Sequence, residues 1–268
     1  MNQKIFCYLL CSTALTFFLV ACQKDLKPSK DNTILSTPLP TTGTYCRIER
    51  LDGTDGQDPA PYSLNFGYDL YENPVVVVPT HPIDFVRPTR YFLYDTWHRL
   101  KEYRVLAKTI FTAGGPIQVY NEWHFYGFDL NGRIGVDTAY FDVVSTEDLN
   151  THTYGGIEHL EYDTQGRIVR EIIKELGTGT ISTRDFAYDS QGNLINNFPT
   201  TYDTKLSILR TNDIWMFLSR DYSMNNPFVA GGYNSAGYPM ALNNTISWVN
   251  FELTQSAVIY GCRQSHYF

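Results

Sequence analysis

The chain has 268 residues, of which 43% are hydrophobic and 15% aromatic, so it can form a real core and is not globally disordered. Its formal net charge is −7 and it contains no basic run, which argues against nucleic acid as a partner. This length suits one large all-β domain or two small ones.

The N-terminus predicts a secretory signal over residues 1–21. Lys4 precedes an apolar run from Ile5 to Ala21 that is too short for a comfortable membrane span. The ending Leu19-Val20-Ala21-Cys22 resembles the lipobox of bacterial lipoproteins, which implies cleavage before Cys22 and acylation of that residue. The alternative is an ordinary signal peptide with a coincidental cysteine.

Residues 22–43 predict a lipidated tether, because they are rich in Lys, Pro, Ser and Thr and lack hydrophobic periodicity. Loss of residues 1–21, whose one charge is Lys4, leaves 20 Lys and Arg against 28 Asp and Glu, a net charge of −8. Such a charge also disfavours electrostatic adhesion to anionic lipid. From the lipobox resemblance we expect an outer membrane lipoprotein, on either the periplasmic face or the cell surface.

The remaining residues, 44–268, predict a single β domain with two cysteines. Cys46 and Cys262 lie in the first and last predicted strands, and an oxidising compartment permits a disulfide between them. The alternative is two unpaired thiols. No histidine stands at metal-ligand spacing from either cysteine, so we expect no metal there.

The body of the chain contains a repeat centred on a Tyr-Asp or Phe-Asp pair. A weaker copy is GGYNSAGYPMAL (231–242), and NFGYDLYENPVVVV (65–78) is a further candidate. The four clear copies are YFLYDTWHRLKEYRV (91–105), FYGFDLNGRIGV (125–136), HLEYDTQGRIVREI (159–172) and DFAYDSQGNLINNF (185–198).

Each copy predicts a β-hairpin with a three-residue loop and a bulge. In the third copy Asp163 begins a type I turn and Gly166 takes the left-handed position, which places Tyr162 opposite Ile168. The same register pairs an aromatic with an aliphatic residue in the other copies, so one face is buried. The predicted turn residues are Asp95, His98, Asp129, Gly132, Asp163, Gly166, Asp189 and Gly192.

His98 replaces glycine in the first clear copy. Histidine is among the few residues that tolerate positive φ, so we interpret it as a turn residue. A metal-binding or catalytic role is the alternative.

These repeats resemble the RHS/YD-repeat family, whose unit is a Tyr-Asp-x-x-Gly-Arg-Leu hairpin, over about residues 90–240. Long members of that family wind many hairpins into a hollow shell. Five or six hairpins are too few for a shell, so the resemblance implies a short, twisted and curved antiparallel meander on a lipid anchor. It implies no established activity.

Residues 200–228 interrupt the strand pattern. Ile214, Trp215, Phe217 and Leu218 stand at helical spacing, which predicts one short helix near 212–221 that covers the sheet. Thr211 or Asn212 could cap its start, and Asn225-Asn226-Pro227 would end it. The alternative is that Trp215 lines a ligand groove.

No recognised catalytic, nucleotide-binding or metal-binding motif is present, so we predict no enzyme activity, cofactor or metal. Asp52, Asp55 and Asp58 do not match calcium-loop spacing. Glu158 and Glu161 are candidates for the paired carboxylates of a glycoside hydrolase only in the sense that any acidic residues in strands are.

Three functions remain open at this stage. The first is a non-catalytic binding or interaction scaffold with a polysaccharide or an envelope protein as its partner. The second is a structural spacer or accessory subunit of an envelope assembly. The third, and least favoured, is a glycan-acting hydrolase. An exposed aromatic row would favour the first over the second.

Overall fold

The computed structural model describes ten ranges of the chain: 44–54, 60–82, 87–112, 115–143, 154–195, 201–228, 231–242, 246–248, 251–253 and 255–264. All of them belong to one compact unit, Ile34–Phe268. The predicted signal peptide, the lipidated Cys22 and the tether lie outside the described residues.

The fold is all-β, as the repeat predicts. Twelve strands form one antiparallel sheet, and its order follows the chain from β10 back to β1, then continues through β14 to β11 at the far edge. The strands are β1 (Thr44–Thr54), β2 (Tyr62–Tyr68), β3 (Pro74–Pro79), β4 (Thr89–Tyr94), β5 (Leu100–Thr112), β6 (Gly115–Phe128), β7 (Ile134–Val143), β8 (Tyr154–Tyr162), β9 (Ile168–Glu175), β10 (Ile181–Asp185), β11 (Ala241–Leu242) and β14 (Gln255–Gln264).

The C-terminal segment contains more than one β element. It forms a small separate hairpin, β12 (Ile246–Trp248) with β13 (Phe251–Leu253), before β14 begins. β14 then pairs along β1, so the last strand of the chain joins the first.

The predicted hairpin register is confirmed in all four clear copies. Tyr162 pairs with Ile168, and the equivalent pairs are Tyr94–Leu100, Phe128–Ile134 and Tyr188–Leu194. The Gly166 N–H donates to the Asp163 carbonyl at 3.1 Å, which closes the predicted turn. The residues in the last turn position have positive φ: His98 61°, Gly132 78°, Gly166 77° and Gly192 85°.

Contacts between neighbouring hairpins explain the Tyr and the Arg of the repeat. The Tyr162 hydroxyl donates to the Ile134 carbonyl of the preceding hairpin at 2.7 Å, and Tyr68 and Tyr94 make the same type of bond. The Arg133 guanidinium lies 4.5 Å from the centre of the Tyr162 ring. Arg47, Arg99 and Arg167 stack in the same way on Tyr68, Phe128 and Tyr188. Each hairpin is thus joined to the next through side chains as well as through the sheet.

The helical segment packs on one face of the sheet. A 3₁₀ helix, Ile208–Thr211, precedes α1 (Asp213–Ser219), and the Asn212 side chain accepts from the Ile214 N–H at 2.9 Å as the N-cap. The helix ends at Arg220, which has a φ of 51°, and not at the predicted Asn225-Asn226-Pro227. No helix within the described ranges is long and apolar enough to cross a membrane.

Trp215 does not line a groove, which corrects that alternative. Its side chain is 0% exposed, and its ring meets Phe66 and Phe92 edge-on at centroid distances of 5.5 and 5.6 Å. Phe217 contacts Tyr126 in the same geometry. The helix therefore covers the hydrophobic core, because its aromatic side chains fill the space above the sheet.

The Gly166→Val substitution tests the turn. Valine strongly resists positive φ, so we expect the free energy of unfolding to fall by about 1–2 kcal/mol. Urea denaturation would measure the loss. Gly177→Val is the matched control, because a Cβ at Gly177 meets nothing within 4 Å and that residue is not among the positive-φ glycines. Equal stability of the two variants would contradict the turn assignment.

Candidate functional site

The aspartates of the turns are occupied by the turns themselves. Asp163 Oδ1 accepts from the N–H groups of Gln165 and Arg167, both at 2.9 Å, and Asp163 Oδ2 accepts from Arg167 Nε at 2.8 Å. Asp95 and Asp129 repeat this pattern with Arg99 and Arg133, and Asp189 makes the two backbone bonds. These carboxylates close hairpins.

The pKa values of the turn carboxyls agree with this role. Burial alone would raise the pKa of Asp163, but the backbone and side-chain donors of Arg167 lower it below its usual range. The pKa values of Asp95 and Asp129 are lowered in the same way. The carboxylates therefore stay charged and hydrogen-bonded at neutral pH.

Cys46 and Cys262 face each other directly on β1 and β14 and are joined by a disulfide, with a Cα–Cα distance of 4.1 Å. Cys46 is fully buried. The bond closes the sheet pairing between the first and last strands.

Of the acidic candidates, Asp52, Glu158 and Glu161 lie among the described residues. Asp52 accepts from the Ser63 hydroxyl at 2.6 Å, whereas Asp55 and Asp58 lie outside the described residues. Glu158 and Glu161 lie on opposite faces of β8, because side chains alternate along a strand. Within the described ranges no group of three or more His, Cys, Asp or Glu side chains is arranged to hold a metal ion.

Glu158 instead belongs to a buried charged group that we call the Arg220 cluster. It comprises Arg220 with Asp137 on β7, Glu158 on β8 and Glu171 on β9. Arg220 Nη2 lies 3.1 Å from Asp137 Oδ2 and 3.0 Å from Glu158 Oε2, and Arg220 Nε donates to Glu171 Oε1 at 2.5 Å. The side chains of Asp137 and Glu171 are each only 2% exposed.

One histidine extends the Arg220 cluster. His124 Nδ1 lies 2.9 Å from Asp137 Oδ1, and His124 Nε2 lies 3.7 Å from Glu122. Burial alone would lower the pKa of His124, but the charge and hydrogen bond of Asp137, with Glu122, raise it to about 9. The imidazolium of His124 and the guanidinium of Arg220 therefore both offset the negative charge of the carboxylates.

The carboxyls of the Arg220 cluster differ in the direction in which their pKa values are shifted. Burial alone would raise the pKa of Asp137, but His124 and Arg220 lower it. The pKa of Glu158 is raised, first by burial and then by the charges of Asp137 and Glu171, against the opposing effect of Arg220. Because every acid of the cluster is already paired with Arg220, the arrangement locks α1 onto three strands.

The His124 pair predicts a pH dependence of stability. The folded-state pKa of about 9 is above the ordinary value of 6.5, so the stabilisation is complete below pH 6.5 and is lost as the pH rises through about 9. We expect a loss on the order of 1–3 kcal/mol across this range. Thermal or urea unfolding between pH 6 and 10 would measure it.

The matched variants are His124→Gln and His159→Gln. His159 is exposed, so its replacement removes a histidine without touching Asp137. His124→Gln should flatten the dependence and His159→Gln should leave it intact. If the two variants give the same profile, His124 does not carry the effect.

A second aromatic group lies on the opposite face of the sheet from α1. Trp123 on β6 is buried, its Nε1 donates to Glu102 at 3.2 Å, and the Arg104 guanidinium lies 4.2 Å from its ring centre. Tyr120 and Val143 pack beside it. This group does not supply an exposed aromatic platform.

Exposed apolar side chains are found instead at the tips of three successive turns. Leu70 is 98% exposed and Leu130 fully exposed, while Tyr71 and Trp97 are 64% and 65% exposed. We call these four residues the tip row. The three turns lie along one side of the sheet, which runs across the strand ends; we call this side the edge, as distinct from an outer strand. Neighbouring hairpins are two strands apart, so the row extends over roughly 20 Å.

Folding does not require the tip row. The turn geometry needs Asp in the first position and a residue of positive φ in the fourth, and both tip positions lie between them. Two further turns have the same hydrogen bonds but polar tips, Thr164 with Gln165 and Ser190 with Gln191. The apolar residues of the row are therefore an addition to a turn that forms without them.

Two aromatic rings of the first two turns touch. The Tyr71 and His98 rings lie 3.7 Å apart between centres, at 36°. His98 thus has a turn role, through its φ of 61°, and a contact within the exposed edge. Among the described residues, no group of three or more His, Cys, Asp or Glu side chains that could hold a metal ion includes His98.

No protein-family model and no curated protein matches this chain. Twenty-one chains of solved structures match it. One of them, from the crystal structure of TcdB2-TccC3-Cdc42, is 11% identical and aligns with 57% of this chain and 8% of that chain, with a TM-score of 0.20. This chain therefore spans a small part of that protein, and the likeness is too low to carry an argument about function.

Proposed function

We propose that the chain is a non-catalytic, lipid-anchored envelope protein whose hairpin repeats form a scaffold for interaction with another envelope component. The anchor is Cys22, and the location is the outer membrane, on its periplasmic face or at the cell surface. The Tyr-Asp repeat and its inter-hairpin contacts support placing the chain with RHS/YD-repeat proteins.

The observation that carries this proposal is the exposed tip row. A contiguous exposed apolar patch on a protein marks a site of interaction, whereas single exposed residues do not. Leu70, Tyr71, Trp97 and Leu130 are clustered on adjacent turns, and equivalent turns with polar tips fold in the same way. The row therefore favours an interaction role over a plain spacer.

The inter-hairpin contacts favour the second candidate, a structural spacer, because they join every repeat to the next. A spacer, however, has no need of exposed Trp97 and Leu130. A hydrolase is not proposed, since the acids Asp137, Glu158 and Glu171 are all held by Arg220.

Photocrosslinking in the native cells tests the interaction. A photoreactive phenylalanine analogue replaces Trp97 in one variant and Gln165, at the same position of a polar turn, in the other. We expect an adduct with an envelope component from position 97 and little from position 165. Equal or absent adducts would leave the spacer as the better account.

The anchor is tested separately by the Cys22→Ser variant. Without the thiol there is no thioether to diacylglycerol, so we expect the chain to lose its acyl groups and to leave the membrane fraction. Fractionation and mass spectrometry of the N-terminal peptide would measure both changes. A Cys22→Ser chain that remains acylated and membrane-bound would show that the anchor lies elsewhere.

A further inference from the structure

The domain begins at the same edge of the sheet as the tip row. β1 runs antiparallel to β2, so the start of β1 lies beside the turn that follows β2. Arg47 near the start of β1 and Arg263 near the end of β14 both pair with Glu72, a residue of that turn, at 2.5 and 2.8 Å. The chain therefore enters the domain from the edge that carries Tyr71 and Leu70.

The predicted tether is short enough to keep this edge near the membrane. Between Cys22 and Thr44 lie 21 residues, 23–43. A random coil of 21 residues has a root-mean-square end-to-end distance of roughly 25 Å. A lipid on Cys22 would hold the tip row at a high effective concentration near the bilayer surface.

The tip row has the residue types that enter a bilayer interface. Trp and Tyr are enriched at the level of the lipid headgroups, and leucine is among the residues that partition most favourably into the hydrocarbon. The almost complete exposure of Leu70 and Leu130 means that they project from the edge and do not line a groove. Projecting apolar side chains fit a fluid surface that can close around them.

The ion pairs around the tip row leave no excess of positive charge. Asp95 pairs with Arg99 at 2.7 Å and Asp129 with Arg133 at 2.8 Å. Glu72 is held by its two arginines, and Asp69 accepts from the Asn73 amide at 3.1 Å. Arg47 also pairs with Glu49 at 3.5 Å, so five acids, Asp69, Glu72, Asp95, Asp129 and Glu49, stand against four arginines, Arg47, Arg99, Arg133 and Arg263. A rim without excess positive charge supplies no attraction to an anionic surface, so a zwitterionic phospholipid surface suits it better.

From these features we infer that the tip row inserts into the interface of a zwitterionic phospholipid bilayer and holds the sheet edge-on against the membrane that anchors it. The inference rests on the proposed lipid anchor and names the surface that the scaffold contacts. The four side chains enter the headgroup region, and the polar turns at Gln165 and Gln191 stay outside the acyl layer.

The test uses the full lipidated chain in phosphatidylcholine vesicles, with and without bromine on the acyl chains. Bromine quenches tryptophan emission at short range, and the chain has four tryptophans. The contribution of Trp97 is the difference between the wild type and Trp97→Gln. We expect brominated lipid to remove at least half of that contribution and to leave the emission of Trp97→Gln unchanged.

Two further variants keep Trp97 and the anchor. Leu70→Thr combined with Leu130→Thr copies the residue at the tip of the fourth turn, and it should weaken the quenching of Trp97 severalfold. Thr164→Ser combined with Ser190→Thr is the matched control and should leave the quenching as in the wild type. Equal quenching in the two double variants would overturn the insertion of the row.

Failure of the inference can be told from failure of the proposed function. If the chain stays on the vesicles but Trp97 is not quenched, the edge does not insert, while the anchored scaffold remains. If photocrosslinks from position 97 join a protein or a glycan and no lipid, the partner is a macromolecule and the inference is wrong. If the lipidated chain leaves the vesicles, the anchor itself fails, and the inference falls with it.

Discussion

The Arg220→Met variant is expected to lose about 3–5 kcal/mol of its free energy of unfolding, because it removes the guanidinium that bonds two buried carboxylates at once. Asp137 and Glu171 are almost completely buried, and Arg220 is the guanidinium that bonds both of them. Methionine keeps much of the apolar stem of arginine and, like arginine, is not β-branched. The positive φ at residue 220 therefore costs about the same backbone strain in the variant as in the wild type. The loss therefore reports the charge.

Urea denaturation at pH 7 measures this effect against a matched control. Arg184 also pairs with Glu171, at 3.3 Å, but its side chain is 62% exposed. Arg184→Met should cost less than about 1 kcal/mol, as surface ion pairs do. Similar losses in the two variants would show that the Arg220 cluster does not lock the helix onto the sheet.

The second large effect is expected from removal of the disulfide. Cys46→Ala combined with Cys262→Ala frees a loop of 216 residues in the unfolded chain. The loop-closure estimate for such a length is about 5 kcal/mol, less any structure that remains in the unfolded state. Alanine is preferred to serine because Cys46 is buried and a hydroxyl there would need a partner.

Denaturation of the wild type with and without a reducing agent provides the control. The reduced wild type should be as stable as the double-alanine variant, and the oxidised wild type should be more stable than both. A reducing agent that leaves the wild-type midpoint unchanged would contradict a stabilising role for the Cys46–Cys262 bond.

The hairpins could be predicted because their signals are local. Asp163 and Gly166 specify the turn within four residues, and the turn fixes Tyr162 opposite Ile168. His98 shows the same rule in a harder case, since it takes the left-handed conformation usually occupied by glycine.

Contacts between hairpins could not be predicted in this way. The hydroxyl of Tyr162 bonds to Ile134, 28 residues earlier, and this contact depends on how two hairpins stack. The Arg220 cluster combines one helix end with three strands, and its acids are spread over residues 137–171. A polar residue inside a strand gives no sign of the cation that will pair with it.

The tip row was present in the sequence but its importance was not visible there. Leu70, Trp97 and Leu130 each look like single apolar residues in a turn. The sheet order brings their turns side by side, and the polar tips of the fourth and fifth turns then supply the comparison. The short C-terminal hairpin could not be predicted either, because residues 246–260 contain no glycine or proline to mark a turn.

Hydroxyl-radical footprinting of the full chain in its native envelope, compared with the purified chain in detergent, tests the central claim most directly. Oxidation is read at Leu70, Tyr71, Trp97 and Leu130, with the exposed Ile181 and Met240 as internal references. If the row contacts another envelope component, its four residues are protected in the envelope while the references react equally in both samples. Equal oxidation of the row in both samples would show that it faces water in the cell and would contradict the proposed interaction.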